Sequence, residues 1–501
     1  MVLNDKQKYL KNLIDIINMC EDITKDMDES IRIDLMTSFQ QMIIYIGEQL
    51  ENDQDKRDCK LIKEHNIIEK LENLCEEIYI CSQIFSQNTV DIIKKSVSYI
   101  IEEINNLPIT YRVAFLPYKA SMWDSLESIW KAFANDEKCE TSVVPIPYYE
   151  ANSITGQWEY HYDGYIYPED VPVVDYKNYI LSEKSPDFIF FHNPYDDYNY
   201  VTKVHPDFFS KNLKKYCRKL VYVPYYANMG YLSKDAKSLP ALHRADYLIF
   251  QSDAMKEGCL EQPFYERILT FGSPKFDKVL RYMAQKVTEP EEWGIKDVGK
   301  KKLLLNTTIN DFLSNGKILI KKLYIFFENV VQYNNKIVVI WRPHPLLKST
   351  IKAMRPQLLD EYENLERFFK KNGIGIYDDT ADVSRVVAVS DVYIGSAYSS
   401  IIALFEVCNK LVYKFDSTRI IDTFGKKQYS RKKPEQAFFM DGAYFSCNES
   451  EEYTFDDFVD DLINKRMNNV LKKQKEAEKG IANNLNGTCG EKVHEYLMKN
   501  K

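Results

Sequence analysis

The chain has 501 residues, a formal net charge of −8, and 45% hydrophobic and 13% aromatic content. These values describe a folded globular protein of two or three domains and argue against a dedicated nucleic-acid binder. No apolar run approaches the ~18 residues of a spanning helix, the opening Met1-Val2-Leu3-Asn4-Asp5-Lys6 lacks the apolar core of a signal peptide, and a cytoplasmic location is expected.

Residues 1–107 carry helical periodicity. Met36, Phe39, Ile43, Ile46 and Leu50 recur in alternating steps of three and four, as do Ile68, Leu71, Cys75 and Ile78, and then Ile93, Val97, Ile100 and Ile104. Each set is the stripe of a packed amphipathic helix. Polar breaks at Asp53-Gln54-Asp55 and Ser86-Gln87-Asn88 predict a helical hairpin or small bundle. The ten cysteines of the chain show neither a C-x-x-C pair nor zinc-type spacing, so reduced core residues and no metal site are expected.

From Pro108 the texture changes. Short β-rich runs (Val113–Leu116, Ser142–Ile146, Phe188–Phe191, Leu220–Val223, Tyr247–Phe250, Ile268–Phe271) alternate with helical segments, which predicts βαβ units and a parallel sheet over 108–285. The charged stretch 286–300 reads as a linker. A second α/β series follows over 301–454, with runs at Leu303–Leu305, Ile337–Ile340, Gly375–Tyr377, Val392–Ile394 and Leu411–Tyr413. Residues 455–501 read as a helical tail, whose run Lys472–Lys479 suits a solvated helix face. The fold class is therefore α/β, with two Rossmann-like lobes preceded by a helical domain and a ligand in the cleft between the lobes.

Two polar clusters stand where parallel strands end, the ligand-binding edge of open α/β sheets. Trp341-Arg342-Pro343-His344-Pro345 offers a guanidinium and an imidazole; Gly395-Ser396-Ala397-Tyr398-Ser399-Ser400 offers hydroxyls and backbone N–H groups at a helix start, which suit a phosphate. No G-x-x-x-x-G-K-[ST] loop exists, which excludes a P-loop NTPase. The adjacent pairs Asp196-Asp197 and Asp378-Asp379 lack the spacing of a metal-dependent sugar transferase. Each candidate has a structural alternative. The prolines beside Arg342 and His344 make a rigid turn, the serines are good helix caps, and Lys275 sits in a tight Gly-Pro turn.

Three of these stretches, in order, resemble the motifs of the CDP-glycerol glycerophosphotransferase family, which includes teichoic-acid primases and polymerases. Gly272-Ser273-Pro274-Lys275-Phe276-Asp277 resembles its G-x-P-R-x-D, Arg342-Pro343-His344-Pro345 its R-x-H-P, and Ser396-Ala397-Tyr398-Ser399-Ser400 its T-D-Y-S-S. The resemblance covers roughly Tyr247 to Asp416 and implies a GT-B-like fold with acceptor on the first lobe and nucleotide donor on the second. It also implies transfer of a polyol phosphate from a CDP-activated donor to a glycan or lipid-linked acceptor, without metal or other cofactor. Arg342, Lys275, Ser396, Ser399 and Ser400 are then expected to bind the donor, and His344 to donate to the developing phosphate charge.

The sequence departs from the family twice. The acidic residue of T-D-Y-S-S is Ala397, and the His-Gly pair that ends a first-lobe strand is absent from Pro224-Tyr225-Tyr226-Ala227-Asn228-Met229-Gly230. His192, which ends the run Phe188–Phe191, is the expected substitute base. Lys119 is expected to meet an acceptor phosphate, and Tyr148, Tyr149, Tyr160 and Tyr162 are candidates to stack on a sugar. Lys211, Lys214, Lys215, Arg218 and Lys219 form a candidate patch for peripheral contact with an anionic leaflet. A nucleotide-sugar glycosyltransferase and a non-catalytic scaffold stay open as alternatives.

Overall fold

Helices α1 (Leu3–Glu21), α2 (Glu29–Glu51), α3 (Ile67–Gln83) and α4 (Gln87–Asn106) build the N-terminal unit. They belong to a computed structural model that describes residues 2–23, 27–51, 62–152, 155–227, 232–294, 299–380, 382–396, 399–415, 455–466 and 481–500. Their core holds the stripes of α2 and α4 as the periodicity predicts, together with Tyr9, Leu13, Ile16 and Cys20 of α1. The α3 stripe is rotated by one residue: Ile67, Leu71, Leu74 and Ile78 face inward, and Ile68 and Cys75 lie at its margin. Lys6 Nζ donates to the carbonyls of Asn105 at 2.9 Å and Leu107 at 2.8 Å, closing the C-terminal end of α4, where a cation is favoured.

The first lobe contains β1 (Tyr111–Leu116), β2 (Cys139–Val143), β3 (Tyr148–Ala151), β4 (Trp158–His161), β5 (Phe188–Phe191), β6 (Thr202–Val204), β7 (Lys219–Tyr222), β8 (Tyr247–Ile249) and β9 (Ile268–Leu269). Its main sheet is parallel in the order β2-β1-β5-β7-β8-β9. Alternate residues of β1 enter opposite cores, Val113 and Phe115 on one face and Ala114 and Leu116 on the other, as a sheet covered on both sides requires. The antiparallel sheet β4-β3-β6 is not among the expected elements, its tyrosines being read only as candidates to stack on a sugar.

The second lobe is a parallel sheet of β10 (Lys301–Thr307), β11 (Ile337–Pro343), β12 (Gly375–Tyr377), β13 (Val392–Ser396) and β14 (Leu411–Phe415), ordered β12-β11-β10-β13-β14. The chain starts in the middle and reverses direction between β10 and β13, the doubly wound arrangement.

Helix α5 (Glu127–Ala134) belongs to the first lobe, and α6 (Pro274–Gln285) joins the two. Phe276 and Val279 of α6 enter the second-lobe core. Lys278 Nζ lies 3.7 Å from Glu127 and 3.5 Å from Asp382, and Tyr282 donates to Asp382 at 2.9 Å.

The tail is not one unit. Phe458, Val459 and Leu462 pack into the second lobe, whereas Cys489, Val493 and Leu497 of the last described helix (Cys489–Lys499) pack into the first. Gly272, at φ +96°, allows this return: a Cβ there would meet Asn483 O at 2.9 Å. Asp277 then accepts from the N–H groups of Cys489 at 3.0 Å and Gly490 at 2.9 Å, capping that helix. The run Lys472–Lys479, Ala397, Tyr398 and Asn228–Gly230 lie outside the described residues.

Candidate functional site

A cavity of about 560 Å³ opens between the lobes, within the ~300–1,000 Å³ range of small-ligand sites. Asp124 and Lys275 line it from the first lobe; Arg342, His344, Thr308, Asn310, Ser399 and Ser400 line it from the second. The second-lobe residues stand at or just beyond the C-terminal ends of β11, β10 and β13, three adjacent strands ending at the same edge. Gly395 lets β13 close on β10 there, since a Cβ would fall 2.2 Å from Asn306 O.

Arg342 is 7% exposed. Its Nη1 pairs with the buried Asp378, and its Nη2 donates to Thr380 O at 2.7 Å. With a longer contact from Nη1 to Thr380 Oγ1 at 3.4 Å, these bonds fix the plane of the guanidinium and leave Nε–H and a second Nη2 hydrogen as its remaining donors. His344 follows on an exposed turn. Its Nδ1 accepts from Leu346 N–H at 3.2 Å, so the neutral ring carries its proton on Nε2. Partial burial lowers its pKa from the ordinary value. His344 is thus arranged as a neutral N–H donor.

Lys275, in the first turn of α6, bonds Asp124 Oδ1 at 2.6 Å. Both cationic side chains of the cavity therefore arrive with a carboxylate partner, so an anion placed there would meet N–H and O–H donors as well as net charge. Ser399 Oγ accepts from Ile401 N–H at 3.2 Å, stiffening the turn into the short helix Ile401–Val407.

The sequence reading missed the longest helix that points here. Thr308, Ile309 and Asn310 form the start of a 23-residue helix, Ile309–Val331, after β10. Thr308 N–H and Oγ donate to Asp311 Oδ2 at 3.0 and 2.7 Å, the backbone half of a capping box. The order of strand, Asn306-Thr307-Thr308 and helical pattern carries the same signal as the two clusters that were noticed.

Three expectations are corrected. His192 is not an accessible base: it is 0% exposed, its Nε2 accepts from Tyr118 N–H at 3.1 Å, and its Nδ1 lies 2.8 Å from Ser125 Oγ. Burial, with Lys275 nearby, drives its pKa down to about 3. Ser396 is also 0% exposed; its Oγ lies 3.3 Å from both Thr308 Oγ1 and Asp311 Oδ1, so it braces the two loops beneath the cavity. Lys119 pairs with Glu150 and lies 5.1 Å from the Tyr148 ring centroid, tying the antiparallel sheet to the lobe outside the cavity lining. That sheet also holds Tyr148, Tyr149 and Tyr160: Tyr148 is buried and Tyr160 is 51% exposed, and neither these nor Tyr162 line the cavity.

Of the basic patch, Lys214 is engaged by Asp246. No described helix is long and apolar enough to cross a membrane.

No curated protein matches the chain. Among solved structures, the wall teichoic acid polymerase TagF is similar at 17% identity over 87% of this chain and 97% of that one, with a TM-score of 0.45. The UDP-GlcNAc 2-epimerase of Methanocaldococcus jannaschii, solved with UDP-GlcNAc and UDP, is similar at 10% identity over 77% and 99%, with a TM-score of 0.43. Residues 196–472, more than half of the chain, match the family model described as CDP-Glycerol:Poly(glycerophosphate) glycerophosphotransferase, and the chain belongs to that family.

Proposed function

We propose that the protein moves glycerol phosphate, or a related polyol phosphate, from a CDP-activated donor to a hydroxyl of a glycan or lipid-linked acceptor in cell-surface polymer synthesis. The observation that carries this reading is the meeting of all three family motifs in one cavity: Lys275 from the first, Arg342 and His344 from the second, Ser399 and Ser400 from the third.

Transfer requires an acceptor oxygen to attack the β-phosphorus while CMP leaves. Charge grows on the phosphoryl oxygens and the bridging oxygen, so fixed donors supply most of the catalysis. In this reading Arg342, held in plane by Asp378 and Thr380, offers its remaining N–H groups to the diphosphate. His344 Nε2–H meets the developing charge on the leaving phosphate. Lys275 lies on the acceptor side, and the hydroxyls of Ser399 and Ser400 complete the donor side. No metal ligand enters this scheme. A lipid-linked acceptor would bring the protein to a bilayer surface through peripheral contact.

Incubation with a panel of CDP-polyols and UDP-sugars tests the proposal. CMP release from CDP-glycerol or CDP-ribitol, with no UDP release from the sugars, is expected. UDP release alone makes the protein a glycosyltransferase, and turnover of neither donor leaves a scaffold role. Ser400→Asp sets a like charge against the phosphate and is expected to weaken CDP-glycerol binding more than tenfold, about 1.4 kcal/mol or more by calorimetry.

A further inference from the structure

We propose that Asp124 is the general base of this protein, the group that takes the proton from the acceptor hydroxyl. The inference rests on the transferase reading and names the residue that fills the role left by the absent His-Gly pair. Among the described residues lining the cavity, the titratable side chains are Asp124, Lys275, Arg342 and His344. A guanidinium does not give up its proton in a protein, and Lys275 is a cation bound to Asp124. His344 uses Nδ1 as an acceptor for Leu346 N–H, which leaves the protonated Nε2 as a donor on the nucleotide lobe. Asp124 is what remains, and it stands on the opposite lobe, where an in-line attack needs its base.

Its surroundings suit that work. Lys275 bonds Oδ1 at 2.6 Å, and Oδ2 has no hydrogen bond to a described residue. The segment that carries it, Ala120–Ser125, is pinned at several points. Buried His192 accepts from Tyr118 N–H on one side and bonds Ser125 Oγ on the other, at 3.1 and 2.8 Å. Ala120 N–H donates to Asp163 Oδ2 at 3.0 Å. His192 is thus a positioning residue for the carboxylate, and a base held this way works without first ordering its own loop. This loop and the end of β5 meet where the first sheet reverses its strand order, between β1 and β5, the ligand crevice of such sheets.

In the step, the acceptor O–H bond breaks and its proton goes to Asp124 Oδ2. The acceptor oxygen bonds the β-phosphorus. The bond from that phosphorus to the oxygen bridging the α-phosphate breaks, and its electron pair leaves with CMP. Asp124 then releases the proton to solvent.

The test uses the full chain with CDP-glycerol as donor and free glycerol as acceptor, reading CMP release, CDP-glycerol Kd and melting temperature. Asp124→Asn is expected to lower kcat by about 10²–10⁴-fold with donor Kd nearly unchanged. Added formate is expected to restore part of the turnover of Asp124→Ala and none of that of His344→Ala. Asp124→Glu keeps the charge paired with Lys275 while displacing the carboxylate, so a folded Glu variant with reduced kcat supports the assignment even where the Asn variant is unstable. Asp124→Asn turnover within about threefold of wild type, or a loss matched by an equal loss of donor affinity, overturns it. Wild-type protein that neither binds CDP-glycerol nor releases CMP ends the donor reading and this assignment together; the variants failing to respond in an active wild type ends the assignment alone.

Discussion

Each lobe ends a buried parallel strand in a polar segment containing a histidine, and the two histidines have opposite fates. After β5, the loop carrying Tyr118 and Ser125 folds over His192 and engages both of its ring nitrogens. After β11, Pro343 and Pro345 hold the chain in a turn on which His344 stays exposed, with one nitrogen engaged by the backbone and the other directed by default to carry the proton. The same residue type at the same topological place is thus a strut in one lobe and a donor in the other. What decides is whether the neighbouring loop closes over the ring, a property of residues more than sixty positions away in the sequence.

The largest expected effect separates the two outright. His344→Ala removes a donor from an exposed turn and is expected to lower turnover by about 10²–10⁴-fold, with the melting temperature nearly unchanged. Arg342→Lys, which replaces a fork fixed by Asp378 and Thr380 with a point charge, is expected to cost activity as well. Steady-state kinetics and thermal melts on the same preparations check both. A stable, fully active His344→Ala protein would break the contrast between the lobes.

His192→Ala is expected to act on stability first. It leaves the Tyr118 N–H without a partner in a fully buried site, at roughly 1–3 kcal/mol; the Ser125 hydroxyl loses its contact with the ring but keeps its donation to Met122 O at 2.8 Å, and turnover falls with the loosening of the Asp124 segment. The pH dependence of unfolding gives a second reading. The folded-state pKa of His192 is down at about 3, against about 6.5 in an unfolded chain. The unfolded state therefore binds the extra proton, and this contribution to stability is fully present above about pH 6.5 and is lost as pH falls toward 3. Asp187 runs the other way, since burial pushes its carboxyl up to about 6. The His192 contribution is accordingly read as the difference between wild type and His192→Gln in denaturant midpoints at pH 7.5 and pH 5, with the variant losing less on acidification.

Much of the fold was legible because its signals are local. The runs at Val113–Leu116, Phe188–Phe191 and Ile337–Ile340 are continuous and apolar, as strands covered on both faces must be, and each lies within a strand of the structure. The antiparallel sheet was not legible: Trp158-Glu159-Tyr160-His161 has burial too slight to impose an alternation. At the site, the sequence pointed to Lys275, Arg342, His344, Ser399 and Ser400, each of which follows a strand run directly. It pointed wrongly at His192, because burial by a distant loop leaves no local trace. It passed over Thr308 and Asn310 although the strand–polar–helix order was there to read. Asp378, in an adjacent pair whose spacing speaks against a metal site, is instead the carboxylate partner of the Arg342 guanidinium.

The smallest expected effect concerns the serines, which the sequence presents as equivalents. Ser399 and Ser400 line the cavity, while Ser396 lies beneath it with its hydroxyl between Thr308 and Asp311. Both contacts are at 3.3 Å, long for O–H···O bonds, so their removal costs about 1 kcal/mol. Ser396→Ala is therefore expected to lower the melting temperature slightly and to leave CDP-glycerol affinity near wild type, because the cap of the long helix by Asp311 Oδ2 does not depend on it. Ser400→Ala removes a hydroxyl-bearing side chain from the cavity lining and is expected to do the reverse. Calorimetric affinity and thermal melts on the pair decide: if Ser396→Ala weakens donor binding as much as Ser400→Ala, the brace beneath the cavity and the contacts inside it are one unit.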